Sequence, residues 1–456
     1  MTSRQHTIIA FLLISSLLSF FRIDIPGMTK AEESFSFHWG LLSIFGTTPF
    51  TSDSWGAFTD QAPYLSLGET PFVNPPLPMW GMVAWSKTFG ETLPSTRIFS
   101  CILAALAIFS LYSIAKNILT SKQAMFAAGL LAGSLIWNDI ARHATTEIWG
   151  ISFTLMSLAL FISLLKNRMT LLKPILLSFP LIVSSSMLFL SSFEGMVMLF
   201  ILSIMYVIIF KPQLQNAIIG CISILIGYLI GYMWFLQMDL PFASQVMDAL
   251  MNVQLLPGSH DIQTLLLDGS ILPFALIGIF IGSKALIKNG SQQLILAFKF
   301  TTIWLIISYL VGGFSAFSLI PTIIISLIGI HGILEHIHSP RVIAIIIASS
   351  FLLAMFGIAP RLLEGITRIL TQHSFSVFGL IPLILGSGIL LLAIFLKTST
   401  LKLIIHEAMS RILIALVIAA LVKVAFANLL GKTRIQKEAL AEYNHPMHVQ
   451  QLNNKG

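Results

Sequence analysis

The chain has 456 residues, of which 56% are hydrophobic and only 10% charged, and its mean hydropathy is +0.89. A soluble domain carries about a quarter charged residues, so that class is excluded and a polytopic membrane protein is indicated. The net charge of +7 is assigned to lysines and arginines that hold loops against anionic headgroups, with membrane lipids and not nucleic acid as the partner.

A spanning helix needs roughly 20 apolar residues, because hydrocarbon offers no partner for a backbone N–H or C=O. The first run, Ile8 to Phe21 behind Arg4, has the shape of a signal sequence but lacks a small-x-small cleavage site, and is read as an uncleaved first span starting in the cytoplasm. A long polar segment, 23–96, follows. Within it, 28–45 has helical spacing, with Phe35, Trp39, Leu42 and Phe45 on one face, and 76–90 opens on a Pro-Pro start signal. Both are expected to be helices lying at the membrane interface.

Further runs follow at 98–115, 124–138, 148–165, 174–190, 195–210, 214–236, 270–287, 294–311, 314–333, 342–359, 375–396 and 412–430. The expected fold is therefore all-α and polytopic, with about thirteen transmembrane helices. Residues 1–430 form one transmembrane domain and 431–456 a short polar tail. No tandem repeat or low-complexity tract is visible. The connections assigned to the cytoplasm carry Lys116, Lys122, Lys166, Lys211 and Lys288 among others, whereas the outer loop 237–269 has aspartates and no lysine or arginine. The basic tail, with Lys432, Arg434 and Lys437, runs against that orientation.

Cys101 and Cys221 both fall inside apolar runs, which argues against a disulfide framework or a cysteine metal site. No metal-binding or nucleotide-binding spacing occurs, so no cofactor is expected, with a divalent metal left open.

Chemistry is sought in the polar segment and at the span ends. Glu32 and Glu33 stand near the start of the first interfacial helix, where partial desolvation suits a carboxylate to general-base work; a solvated acidic pair is the plainer reading. Arg97 is placed at the outer start of the second span, where its planar fork suits a lipid phosphate or a simple interface anchor. Arg142, His143 and Glu147 are placed in the short outer connection between the third and fourth spans. That is close quarters for two cationic-type side chains and a carboxylate, although such residues also serve as snorkelling anchors.

Four stretches in order carry a resemblance: Glu32-Glu33-Ser34-Phe35, Asn74-Pro75-Pro76-Leu77-Pro78-Met79-Trp80, Thr96-Arg97-Ile98-Phe99-Ser100 and Ala141-Arg142-His143-Ala144-Thr145-Thr146-Glu147. Over roughly residues 1–170 the chain resembles the GT-C superfamily of membrane glycosyltransferases that use polyprenyl-phosphate sugars, especially its aminoarabinose transferase and protein mannosyltransferase branch. The family's acidic pair falls on Ala31-Glu32, its lysine before the prolines on Asn74, and its later aspartate on Glu147.

The resemblance implies an inverting sugar transfer from a polyprenyl-phosphate-linked donor to a lipid, glycan or protein acceptor, at the periplasmic face of a bacterial inner membrane. It implies Glu32, Glu33 and Glu147 as catalytic carboxylates, and Asn74, Arg97, Arg142 and His143 as substrate-binding residues. The alternatives are a lipid flippase or transporter, for which Glu194 and Lys423 are the nearest intramembrane charges, and a catalytically degenerate relative.

Overall fold

The computed structural model describes residues 3–17, 20, 93–142, 147–166, 172–235, 292–312 and 316–335, with scattered positions at 77–89 and 275–283 and Leu421. These residues are helical apart from short connections. The helices are α1 (Ser3–Leu17), α2 (Leu93–Ile118), α3 (Ser121–Ala132), α4 (Leu135–Arg142), α5 (Glu147–Lys166), α6 (Leu172–Phe189), α7 (Phe193–Phe210), α8 (Leu214–Phe235), α9 (Gln292–Gly312) and α10 (Ala316–Glu335). Among the described residues, α2, α5, α7 and α8 contain segments long and apolar enough to cross a membrane: Arg97–Ile118, Glu147–Lys166, Phe193–Phe210 and Leu214–Met233. The protein is a multi-pass membrane protein.

Helix α5 is the hub, buried on nearly all sides. The Ser152 hydroxyl donates to the Leu103 carbonyl of α2 at 3.0 Å, and Ser157 donates to the Ser184 hydroxyl of α6 at 2.9 Å. Small residues set the remaining distances. A Cβ on Gly150 would lie 2.6 Å from Ser192 Cβ, and one on Gly195 would lie 2.6 Å from Thr154 Oγ1, so α7 meets α5 through a nearly bare backbone. On α8, Gly220 faces Phe161 of α5, while Gly227 and Gly231 face α6.

These pairings fix the helix directions. Leu103 meets Ser152 near one end of the bundle, and the Lys166 ammonium of α5 donates to the Asn117 carbonyl of α2 at 2.8 Å at the other, so α2 and α5 run parallel. Helix α7 starts beside the start of α5. Helix α9 runs against α7, with Phe300 edge-on to Tyr206 and the Ser308 hydroxyl 3.8 Å from Met198 Sδ. Helix α10 returns from Phe317, which lies across from Gly150. Helices α5, α6, α7 and α8 thus alternate in direction. The outward faces of α6 and α8 carry exposed Leu176, Phe179, Val183, Ile218, Ile222 and Leu229, the pattern of a hydrocarbon-facing surface.

One expected span is corrected. The apolar run at 124–138 is two helices, α3 and α4, interrupted at Gly133-Ser134. Gly133 ends α3 with its N–H on the Gly129 carbonyl at 2.9 Å, and the Ser134 hydroxyl accepts the Trp137 N–H at 3.4 Å at the start of α4. Helix α4 then extends to Arg142, past the predicted end of the span. Within the second expected interfacial helix, the described residues Leu77, Pro78, Gly81, Trp85, Thr88 and Phe89 are helical. The first, at 28–45, and the runs from 342 onward lie outside the described residues.

Candidate functional site

Helix periodicity puts Arg97, Ser100, Cys101 and Ala104 on one face of α2, and all four are buried. On α4, Trp137, Asn138, Ala141 and Arg142 are likewise buried. The two faces meet. The Cys101 thiol donates to the Ala141 carbonyl at 3.4 Å, and both the Arg97 and the Arg142 guanidinium act on that thiol electrostatically. Two cations distant in sequence therefore converge where α2 begins and α4 ends. Arg97 is 0% exposed and Arg142 1%.

That burial corrects the sequence reading. Arg142 is the last residue of a helix and not part of a loop, and Arg97 is enclosed well inside the first turns of α2. An anchor arginine extends its guanidinium into the headgroup region, whereas these two are buried within the protein. A cation inside a membrane protein costs roughly 2.5–3.5 kcal/mol on insertion scales, so such residues mark function more often than packing.

An aromatic chain closes this end of the molecule. Trp85 lies 5.2 Å from Phe99 between ring centroids, Phe99 lies 4.8 Å from Trp149, and Phe89 packs 4.2 Å from Trp85. The Leu77 N–H donates to the Leu190 carbonyl at 3.2 Å, and Gly81 leaves room for the Trp149 ring directly beneath it. Leu77, Gly81 and Trp85 thus lie against the end of α6, α5 and α2 respectively, with Gly81 where only a hydrogen fits.

The remaining candidate residues are distributed as follows. Glu147 is the first residue of α5 and is exposed, close to the macrodipole's positive end. Glu32, Glu33, Asn74, His143 and Lys423 lie outside the described residues. Glu194 is half-buried in the first turn of α7, which Ser192 caps by accepting the Gly195 N–H at 3.0 Å. Among the described residues no group of His, Cys, Asp or Glu is gathered to hold a metal ion.

Sequence reasoning missed Ser100, Trp137 and Asn138, all 0% exposed on the arginine faces. The available signal was Gly133-Ser134, a stop followed by a cap, which splits the apolar run and puts Trp137, Asn138, Ala141 and Arg142 in helical register.

Residues 73–238 match the family described as dolichyl-phosphate-mannose-protein mannosyltransferase, a stretch that includes both arginines and the 77–89 segment. No curated protein matches the chain as a whole sequence. Among solved structures, the chain is similar to ArnT from Cupriavidus metallidurans bound to undecaprenyl phosphate, with a TM-score of 0.61 at 13% identity over 95% of this chain and 78% of that one. The apo state of the same protein gives a TM-score of 0.58 at 12% identity, covering 96% and 78%. The chain shares the fold of these ArnT structures. A further likeness is to the Archaeoglobus fulgidus oligosaccharyltransferase in its apo form, with a TM-score of 0.50 at 13% identity, covering 88% of this chain and 56% of that one. These likenesses in fold extend well beyond residue 170, where motif resemblance ended.

Proposed function

We propose that this protein is a GT-C inverting glycosyltransferase that moves a sugar from a polyprenyl-phosphate donor to a lipid, glycan or protein acceptor, at the periplasmic face of a bacterial inner membrane. The observation that carries the reading is the convergence of Arg97 and Arg142 on the Cys101–Ala141 contact. Two guanidiniums gathered in a low-dielectric site favour an anion, and planar forks pair with phosphate oxygens through parallel hydrogen bonds. The undecaprenyl phosphate bound by the C. metallidurans ArnT is a ligand of this chemistry.

In the proposed reaction the acceptor's nucleophilic atom attacks the anomeric carbon from the face opposite the phosphate. The bond between that carbon and the phosphate oxygen breaks, and its electron pair stays on the departing polyprenyl phosphate. Arg97 and Arg142 stabilise that growing charge, a role that removal of a single donor typically reveals as a hundredfold to thousandfold loss of rate. Glu32, with Glu33, takes the acceptor's proton as general base, and Glu147 orients the acceptor. Asn74 and His143 contribute polar contacts to the donor. Sidedness is inferred from the lysines at the opposite end of the helices, which suit a cytoplasmic surface.

The test is sugar transfer by the purified full-length protein in proteoliposomes, with Glu32→Gln and Glu33→Gln made singly and together. Strong loss in at least one of the three supports the assignment; wild-type transfer in all three overturns the base. The interruption between α3 and α4 favours a lipid flippase, because broken helices are common in transporters. Lipid scrambling by the same proteoliposomes without any glycosyl product would select that alternative.

A further inference from the structure

The arginine-bearing faces of α2 and α4 also carry two neutral donors with nothing to donate to. Ser100 and Trp137 are both 0% exposed, and neither the Ser100 hydroxyl nor the Trp137 indole Nε1–H has a hydrogen-bond partner. Several serines in the bundle satisfy themselves on their own helix: Ser16, Ser163 and Ser223 each donate to the carbonyl four residues back, at 2.8, 2.7 and 2.7 Å, whereas Ser15, Ser185 and Ser203 are buried without a partner away from the arginines. Ser100 does not take that option.

Position makes the two donors informative. Ser100 is adjacent to Cys101 and three residues after Arg97, while Trp137 is one turn before Ala141, whose carbonyl holds the Cys101 thiol. Helical geometry therefore sets Ser100 beside Arg97 on α2 and Trp137 beside Ala141 on α4, on the two helices joined by the Cys101–Ala141 contact. A buried indole N–H or hydroxyl ordinarily finds an acceptor, and leaving one unpaired forfeits its hydration without return. An oxyanion supplies several acceptor lone pairs at once.

We propose that Ser100 and Trp137 are ligand-binding residues of the arginine site, each donating a hydrogen bond to an oxygen of the bound phosphate group. The inference rests on the reading of that site as a phosphate site, and adds to it a mixed donor set of two guanidiniums, a hydroxyl and an indole. Charge from the arginines supplies most of the affinity, and the two directional neutral donors fix how the phosphate is turned.

The experiment measures binding of a polyprenyl monophosphate to the purified full-length protein in nanodiscs, with phosphatidic acid as a competing phosphate headgroup and thermal unfolding as the check on integrity. Ser100→Ala and Trp137→Phe each remove one donor and keep most of the packing. Each is expected to weaken binding about tenfold, the size of one lost hydrogen bond, with unfolding temperature held. Ser100→Cys retains a weak donor and falls between. Ser203→Ala and Trp304→Phe are the controls, because Ser203 and Trp304 are also buried and unpartnered but lie on α7 and α9; they leave affinity unchanged. Wild-type affinity in both Ser100→Ala and Trp137→Phe, alongside loss in Arg97→Ala, overturns this inference and leaves the phosphate site standing. Wild-type affinity in Arg97→Ala and Arg142→Ala as well overturns both. Equal displacement of the polyprenyl phosphate by phosphatidic acid overturns the assignment to a lipid-linked donor.

Discussion

The two ends of the bundle treat positive charge in opposite ways. At one end Lys116, Lys122, Lys166 and Lys211 are all exposed, while at the other Arg97 and Arg142 are enclosed. The lysines do local structural work. Lys166 donates to the Asn117 carbonyl in the last turn of α2, and the Lys116 ammonium sits 5.9 Å from the centre of the Tyr112 ring. Their charge stays near water, at little cost. The arginines give up hydration, and under the proposed function what they gain in exchange is the ability to hold an anion in a setting where each hydrogen bond counts for more. Position along the helix, more than residue type, separates an anchoring cation from a binding one.

The sharpest way to break that comparison is to neutralise each end separately. Arg97→Ala or Arg142→Ala should lower sugar transfer by at least about a hundredfold, and Arg97→Lys should fall between because it keeps the charge and loses the fork. Lys116→Ala and Lys122→Ala should transfer at the wild-type rate in the same proteoliposome assay. Equal losses at the two ends would mean that burial does not mark the site.

The next effect concerns how the 77–89 segment lies over the arginine end. Gly81→Val places a branched side chain against Trp149, so the segment must lift or the indole must turn. A destabilisation of about 1–3 kcal/mol is expected, with lower transfer and altered tryptophan fluorescence. At the lysine end, Thr120 and Gln123 form a capping box at the start of α3, with the Thr120 N–H donating to Gln123 Oε1 at 3.0 Å. Thr120→Ala should cost about 1 kcal/mol in thermal unfolding and leave transfer unchanged, which separates stability at that end from chemistry at the other.

The smallest effect has the opposite sign. Lys211 ends α7 in a left-handed conformation with φ of 46°, a geometry that glycine adopts without strain. Lys211→Gly should raise stability by about 0.5–1 kcal/mol, read as a higher unfolding temperature with unaltered activity.

Much of the architecture was legible in the sequence because hydrocarbon imposes a length and a composition on every span. The runs at 98–115, 148–165, 195–210 and 214–236 reappear as α2, α5, α7 and α8 with ends shifted by a few residues. The interruption in the third run was harder to see, since Gly133 and Ser134 are tolerated inside an apolar helix and mark a break only when the cap actually forms. Overlooking it left Arg142 in a loop and hid Trp137 and Asn138 altogether.

By itself the sequence determined that the protein is a multi-pass membrane protein, which end of its helices carries the lysines, and that Arg97 and Arg142 occur in stretches resembling GT-C motifs. Only the tertiary structure decided that those two arginines share one buried site with Ser100, Cys101 and Trp137. The physical reason is that hydropathy depends on local composition, whereas the meeting of α2 with α4 depends on where a helix breaks and which faces then pack, and neither is written in the apolar pattern of a single segment.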